Sequence, residues 1–286
     1  MIKTILVPVL GDVTDVPEYG TAVAAARLLG AHLEFLFVGP KASELLGVSE
    51  SGDFATGLIR PEILFDLERA EEARAADARL AVKRLCERER IAVHDAPPGP
   101  HAISAEWRHE QGDQISSVVG RTRFNDLLVT RPGTGWVAKL NEAVLTQGGR
   151  PVLLAPSRPP DSLNQTVVIA WKETPEAARA VTAAMPFLAQ ADKVVVLSVH
   201  EGEPPNVKSV GDVAQQLRWH RLDVQARCLA VTGGDVAQTL ISAVHDLKAG
   251  LLVMGAYGHS RVREVILGGL TRHVLRGADL PVLLSH

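Results

Sequence analysis

The 286-residue chain contains an internal repeat, and that repeat limits its architecture more than any bulk property, because both copies must be buildable from the same order of elements. Residues 4–9 read TILVPV and residues 166–171 read TVVIAW. Each is a short apolar run of the kind that forms a buried strand. Each is followed by an Ala-rich stretch at helical spacing that runs into a second apolar strand: AVAAARLLGAHLEFLFV at 22–38 and AVTAAMPFLAQADKVVVLSV at 180–199. The closing segments match too. FNDLLVTRP at 124–132 corresponds to AGLLVMGAY at 249–257, and GGRPVLLAP at 148–156 to ADLPVLLSH at 278–286. Each half opens on a strand, alternates helices with strands and closes on PVLL. This order predicts an α/β fold of two tandem open parallel-sheet domains with helices on both faces.

SRPPDSLNQ at 157–165, with two prolines and several turn formers, reads as the linker. The boundary falls near residue 160, giving domains over 1–158 and 164–286. The copies differ in two places. Between the second strand and LLV the first half is longer by about 37 residues. The extra material, an insertion near 40–75, begins with a mixed stretch at 41–62 suited to a flap. A long amphipathic helix is predicted after it, over 63–90. From LLV to PVLL the first half has 24 residues and the second 30, and the shortfall lies where the second half carries its glycines.

Composition sets the outer bounds. Aromatic residues are 4% and hydrophobic residues 46%, so the core must be built from Ala, Val and Leu, which suits a covered parallel sheet. A net charge of -3 argues against a basic nucleic-acid surface. No apolar run reaches the roughly 20 residues that span a bilayer, and MIKTILVPV lacks a signal-peptide layout. Cys86 and Cys228 stand far apart without a pairing motif, which fits a reducing cytoplasm. No nucleic-acid or membrane partner is therefore expected.

After the strand LLVM come Gly255-Ala-Tyr-Gly258, nine further residues, and Gly268-Gly269-Leu-Thr271. In an open parallel sheet, ligands sit beyond the carboxyl ends of the strands. Gly255 and Gly258 are expected to let the chain turn and bring backbone N–H groups to an anion. Gly268-Gly269 are expected to open a helix whose first amides favour phosphate. The alternative is that these glycines are only turn formers. The loop lacks the Gly-Lys-Ser/Thr of a Walker A loop and is not a GxGxxG fingerprint.

The segment LLVMGAYGHSRVREVILGGLTRHVLRGADLPVLLSH strongly resembles the C-terminal stretch of the universal stress protein family, many members of which carry G-x2-G-x9-G-[S/T] there, a motif that holds ribose and phosphates in the ATP-binding members. The likeness covers nearly all of 164–286, and 1–156 by strand order alone. It implies the adenine nucleotide alpha hydrolase-like fold, a stress-response binding or regulatory role, and tandem domains packed as an intramolecular pseudo-dimer, often through their last strands. A further homodimer and an unknown protein partner are expected on the same ground. Carried over by position, Gly255, Gly258, Gly268, Gly269, Leu270 and Thr271 would follow the ribose and phosphates of ATP or a related adenine nucleotide, with Mg, and Met254 would belong to the same nucleotide-binding set. Val199 would lie near the adenine. Two positions depart from the family pattern. Lys172 stands where an Asp is usual, either favouring phosphate or facing solvent, and Gly269 replaces a Ser or Thr.

In the first half, RPGTGWVAKLNEAVLTQGG keeps Gly133 and Gly135 but lacks the spacer and the second glycine pair, so nucleotide binding is not expected there. His259, Ser260, Arg261 and Arg263 are either phosphate ligands or a solvated face, whereas Arg272 and His273 read as surface residues. His94, His101, Glu106 and His109 show no helical i, i+4 pair, and no structural metal is expected. Asp235 is expected to cap a helix after a Gly233-Gly234 turn. Trp171 reads as core or as a pocket wall, Cys86 as structural or idle rather than catalytic, and Cys228 as a small buried hydrophobe. No residue set defines a fast reaction. Besides a nucleotide-binding regulator, a slow ATPase and a nucleotide-free interaction or metabolite-binding module remain as readings.

Overall fold

The computed structural model describes residues 1–10, 16–40, 61–94, 96, 102–202, 206–231, 235–257 and 269–286. The first half contains β1 (Thr4–Val9), α1 (Pro17–Leu29), β2 (His32–Gly39), α2 (Pro61–Glu89), β3 (Ala92–Val93), β4 (Ser104–Gln111), α3 (Gln114–Thr122), β5 (Leu127–Thr130), α4 (Trp136–Gln147) and β6 (Val152–Leu154). The second contains β7 (Thr166–Ala170), α5 (Pro175–Leu188), β8 (Lys193–His200), α6 (Val207–Trp219), β9 (Val224–Ala230), α7 (Val236–Asp246), β10 (Leu251–Gly255), α8 (Gly269–Arg276) and β11 (Val282–Ser285).

Among the described residues, eleven strands join one sheet in the order β3-β4-β2-β1-β5-β6-β11-β10-β7-β8-β9. Read inward from either end, β4-β2-β1-β5-β6 repeats as β9-β8-β7-β10-β11. Within each half every pairing is parallel, and the halves meet where β6 runs antiparallel to β11, with Leu153 opposite Leu283. Neighbouring residues of a strand point to opposite faces. Ile5, Val7 and Val9 of β1 accordingly enter the core under α1, α2, α5 and α6, while Leu6 enters the core under α3, α4, α7 and α8. Both cores contain residues from both halves. A strand buried on both faces must be apolar at every position, which is why TILVPV and TVVIA show no polar alternation. The two core phenylalanines with no significant exposure, Phe35 and Phe187, each stabilise the fold by up to about 3 kcal/mol relative to an exposed ring.

Helix starts follow local chemistry. Pro17 and Pro175 stand at the first positions of α1 and α5, where a missing N–H costs nothing. Asp113 and Asp235 each accept a hydrogen bond at 2.8 Å from the amide three residues on, capping α3 and α7. The first-half core also buries a charge: Glu34 of β2 is held by Arg121, by Arg108 at 3.4 Å and by Asn125 at 3.2 Å. At the corresponding position of the second half stands Val195, in the same register against β7 that Glu34 has against β1.

Several expectations change here. The long helix is present, spanning 61–89 rather than 63–90; of the stretch at 41–62 expected to form a flap, residues 41–60 lie outside the described residues and 61–62 open this helix. Residues 92–111, which read as a proline-containing stretch with scattered histidines, contain β3 and β4, and Glu106 and His109 are strand residues. Cys86 is buried, as expected of a structural thiol, and its pKa is pushed up to about 11, first by burial and then by Glu87. Cys228 is only half-buried, because β9 is an edge strand covered less completely than the centre. No helix among the described residues is long and apolar enough to cross a membrane.

Candidate functional site

In the second half the chain proceeds outward from β7 through β8 to β9, then returns to the other side of β7 to form β10. That reversal opens a crevice at the carboxyl ends of the strands. Its volume is about 570 Å³, within the range of small-ligand pockets. Ala170 ends β7 and Trp171 and Lys172 follow it; Ser198 and Val199 lie near the end of β8; Met254 and Gly255 close β10. The N-caps Thr174 of α5 and Asp235 of α7, with Ala177 of α5, Leu240 of α7, and Gly269, Leu270 and Thr271 of α8, complete it, with Glu201 at the rim. Two capped helix N-termini, those of α5 and α7, thus border one cavity, and their amide ends give it a positive local field.

Of the residues singled out from the sequence, Lys172, Val199, Met254, Gly255, Gly269, Leu270 and Thr271 are brought together here. Gly258 and Gly268 lie outside the described residues, as do His259, Ser260, Arg261, Arg263 and the Gly233-Gly234 turn. Arg272 and His273 are exposed. The Lys172 side chain is exposed at the mouth, and Thr271 is buried in the first described turn of α8. Three contributors carried no sequence signal for a site. Glu201, Ser198 and Thr174 stand far in sequence from the glycine loop, and only the strand order gathers them.

The two described glycines of the motif, Gly255 and Gly269, differ in what surrounds them. A Cβ on Gly255 would lie 2.6 Å from the Ala177 nitrogen and 2.7 Å from the Glu176 carbonyl carbon. Gly255 is therefore required for the close approach of the opening turn of α5, and the left-handed residue after β10 is Tyr257, with φ 60°. Edge-on packing against His286, at 5.7 Å between ring centroids, holds that tyrosine. Burial first, and Glu142 of α4 second, push its pKa up to about 12. A Cβ on Gly269, by contrast, would meet nothing within 4 Å, so this glycine borders open space in the crevice. Trp171 serves both roles proposed for it: it packs on the core, lines the cavity and donates its ring N–H to Ser209 at 2.9 Å.

The corresponding loop of the first half is occupied by its own protein contacts. The Gly133 amide donates to the Leu275 carbonyl of α8 at 2.9 Å. The Arg131 carbonyl accepts from Asn141 at 2.9 Å, and the Arg131 side chain stands 3.8 Å from the buried Glu18 carboxylate.

The model of the universal stress protein family matches residues 164–286. Residues 164–286 are a universal stress protein domain. A universal stress protein of Synechocystis is 28% identical over 90 residues, 32% of this chain and 30% of that protein, so the chain spans under a third of the curated relative it matches. A universal stress protein of Archaeoglobus fulgidus superposes over 99% of this chain and 95% of its own, with a TM-score of 0.68 at 15% identity. A Pseudomonas aeruginosa protein of unknown function superposes over 99% and 92%, with a TM-score of 0.54 at 14% identity. These superpositions extend the universal stress protein fold across both halves of the chain.

Proposed function

We propose that the chain is a regulatory binding protein of the tandem universal stress type, that its domains divide near residue 160, and that the second-half crevice takes ATP or a related adenine nucleotide. The observation that carries this reading is the open space at Gly269 beside Thr271 in the first described turn of α8. A phosphate can approach the backbone there without meeting a side chain, with the Thr271 hydroxyl as a further donor. Val199, Leu240 and Met254 supply the apolar wall for a purine, and Lys172 at the mouth attracts the outer phosphates, with Mg²⁺ accompanying a triphosphate. The reading is binding rather than turnover, with a slow ATPase on the same fold as the enzyme alternative. The first half lacks a free loop amide at Gly133 and is read as the packing partner.

Calorimetric titration with ATP, ADP and adenosine tests the reading. Saturable binding well below 1 mM is expected, strongest for the phosphorylated ligands; absence of saturation at millimolar nucleotide overturns it. One observation favours a nucleotide-free regulatory module instead. Glu201 and Asp235 put two carboxylates on the crevice rim, and these oppose a polyphosphate. Under that reading thermal melts are unmoved by any nucleotide.

A further inference from the structure

A cavity larger than the second-half crevice lies in the first half, on the seam between α2 and β4, and has a volume of about 960 Å³. It exists because α2 turns its buried stripe, which includes Ala78, Val82 and Leu85, to the core and leaves its outer flank clear of the sheet. β3 pairs only with Ser104 and Ala105 of β4, so among the described residues nothing pairs with β4 from 106 to 111 on that side. In the second half, α6 seats Val210, Val213, Ala214 and Leu217 in the same core.

The lining is chemically graded. Trp107 lines the cavity and is stacked on Phe37, with centroids 6.1 Å apart and planes at 23°. Ala75, Ala76 and Val82 complete an apolar wall. Arg79 and Lys83, one turn apart on the open flank of α2, supply two cations. Arg79 has no ion pair or hydrogen bond among the described residues, and Lys83 has only the exposed Glu87 at 3.9 Å. At the other end stand Glu72, His109 and Gln111. Glu72 is seven residues from Arg79, about 10 Å along the helix. The remaining acid, Glu106, is paired with Arg108 at 3.2 Å.

From this geometry we propose that the α2–β4 cavity is a second ligand site, taking a flat aromatic monoanion. The ring lies on Trp107, and the single carboxylate is held by Arg79 and Lys83, the guanidinium offering two parallel donors. Glu72 at the far end repels a second negative charge, so the site rejects dianions and nucleotides. It is separate from the second-half crevice and does not depend on what that crevice binds.

The probe is 2-naphthoate, titrated calorimetrically into the full chain with and without saturating ATP. Saturable binding below 1 mM, unchanged by ATP, with quenching of tryptophan fluorescence is expected. 2-Naphthalenemethanol, which lacks the charge, and 2,6-naphthalenedicarboxylate, which doubles it, should each bind at least tenfold more weakly. Arg79→Gln/Lys83→Gln alters exposed positions only and should leave the melting temperature in place while weakening 2-naphthoate at least tenfold. Trp107→Phe should abolish most of the quenching. Absence of saturation at millimolar 2-naphthoate overturns the proposal, as does equal binding by the double variant, by the uncharged analogue or by the dianion.

Discussion

Two glycines from one sequence motif carry opposite structural demands. At Gly255 any side chain collides with the backbone of Glu176 and Ala177, which cannot swing aside. Gly255→Ala is expected to cost about 1–3 kcal/mol, read as a lowered denaturant midpoint. At Gly269 the space is open, so Gly269→Ser should fold normally and, by adding one phosphate donor worth about 1 kcal/mol, tighten ATP about fivefold in calorimetry. The sequence showed both glycines but could not separate them, because the collision partner of Gly255 lies nearly 80 residues away. Two weak acids, one buried and one half-buried, set a second expectation. Tyr257 is raised from its ordinary 10.0 to about 12, and Cys86 from 9.0 to about 11, burial being the first cause in each. Between the ordinary and the raised value the folded state holds a proton that the unfolded chain has released, so stability falls as pH rises. The stabilisation is complete below about pH 9 and is lost progressively up to about 12. Denaturant midpoints should fall over that window, and Cys86→Ala/Tyr257→Phe should flatten the decline.

At the scale of elements, α7 joins stability to the crevice through one side chain. Asp235 caps the helix and also places its carboxylate on the rim. Asp235→Ala should cost about 1 kcal/mol in chemical denaturation. Asp235→Asn keeps an accepting oxygen, so its midpoint should stay near that of the parent while ATP binds more tightly with the repelling charge removed. The cap was legible in the sequence, but the rim position was not, since it depends on β9 standing beside β8. Conversely, β4 was written in the sequence and obscured by its surroundings. Ala105, Trp107 and His109 alternate with Glu106, Arg108 and Glu110 at the strand period. Nearby prolines and the charges on the second face masked the pattern. Those charges are compatible with a strand because its far side meets the Glu34–Arg121 pair instead of an apolar helix. The strands buried on both faces, in β1, β2, β7, β8 and β10, were the readily legible part of the fold.

At the scale of the molecule, two cores shared by both halves imply that neither half can lose its packing alone. A single unfolding transition with equal calorimetric and van't Hoff enthalpies is expected; two resolved transitions would show that the seam is weaker than each half. The repeat announced two like units, but the pairing of β6 with β11 needed the structure, since PVLL is apolar whether it faces a helix, a neighbour or another chain. That antiparallel seam fixes direction as well as cohesion. Strands on its two sides point opposite ways, so each half ends its strands on the opposite border of the shared sheet. Whatever the second half grips is presented away from the surface where the first half displays its own loops, and the molecule has two ends that can be engaged at once without steric rivalry.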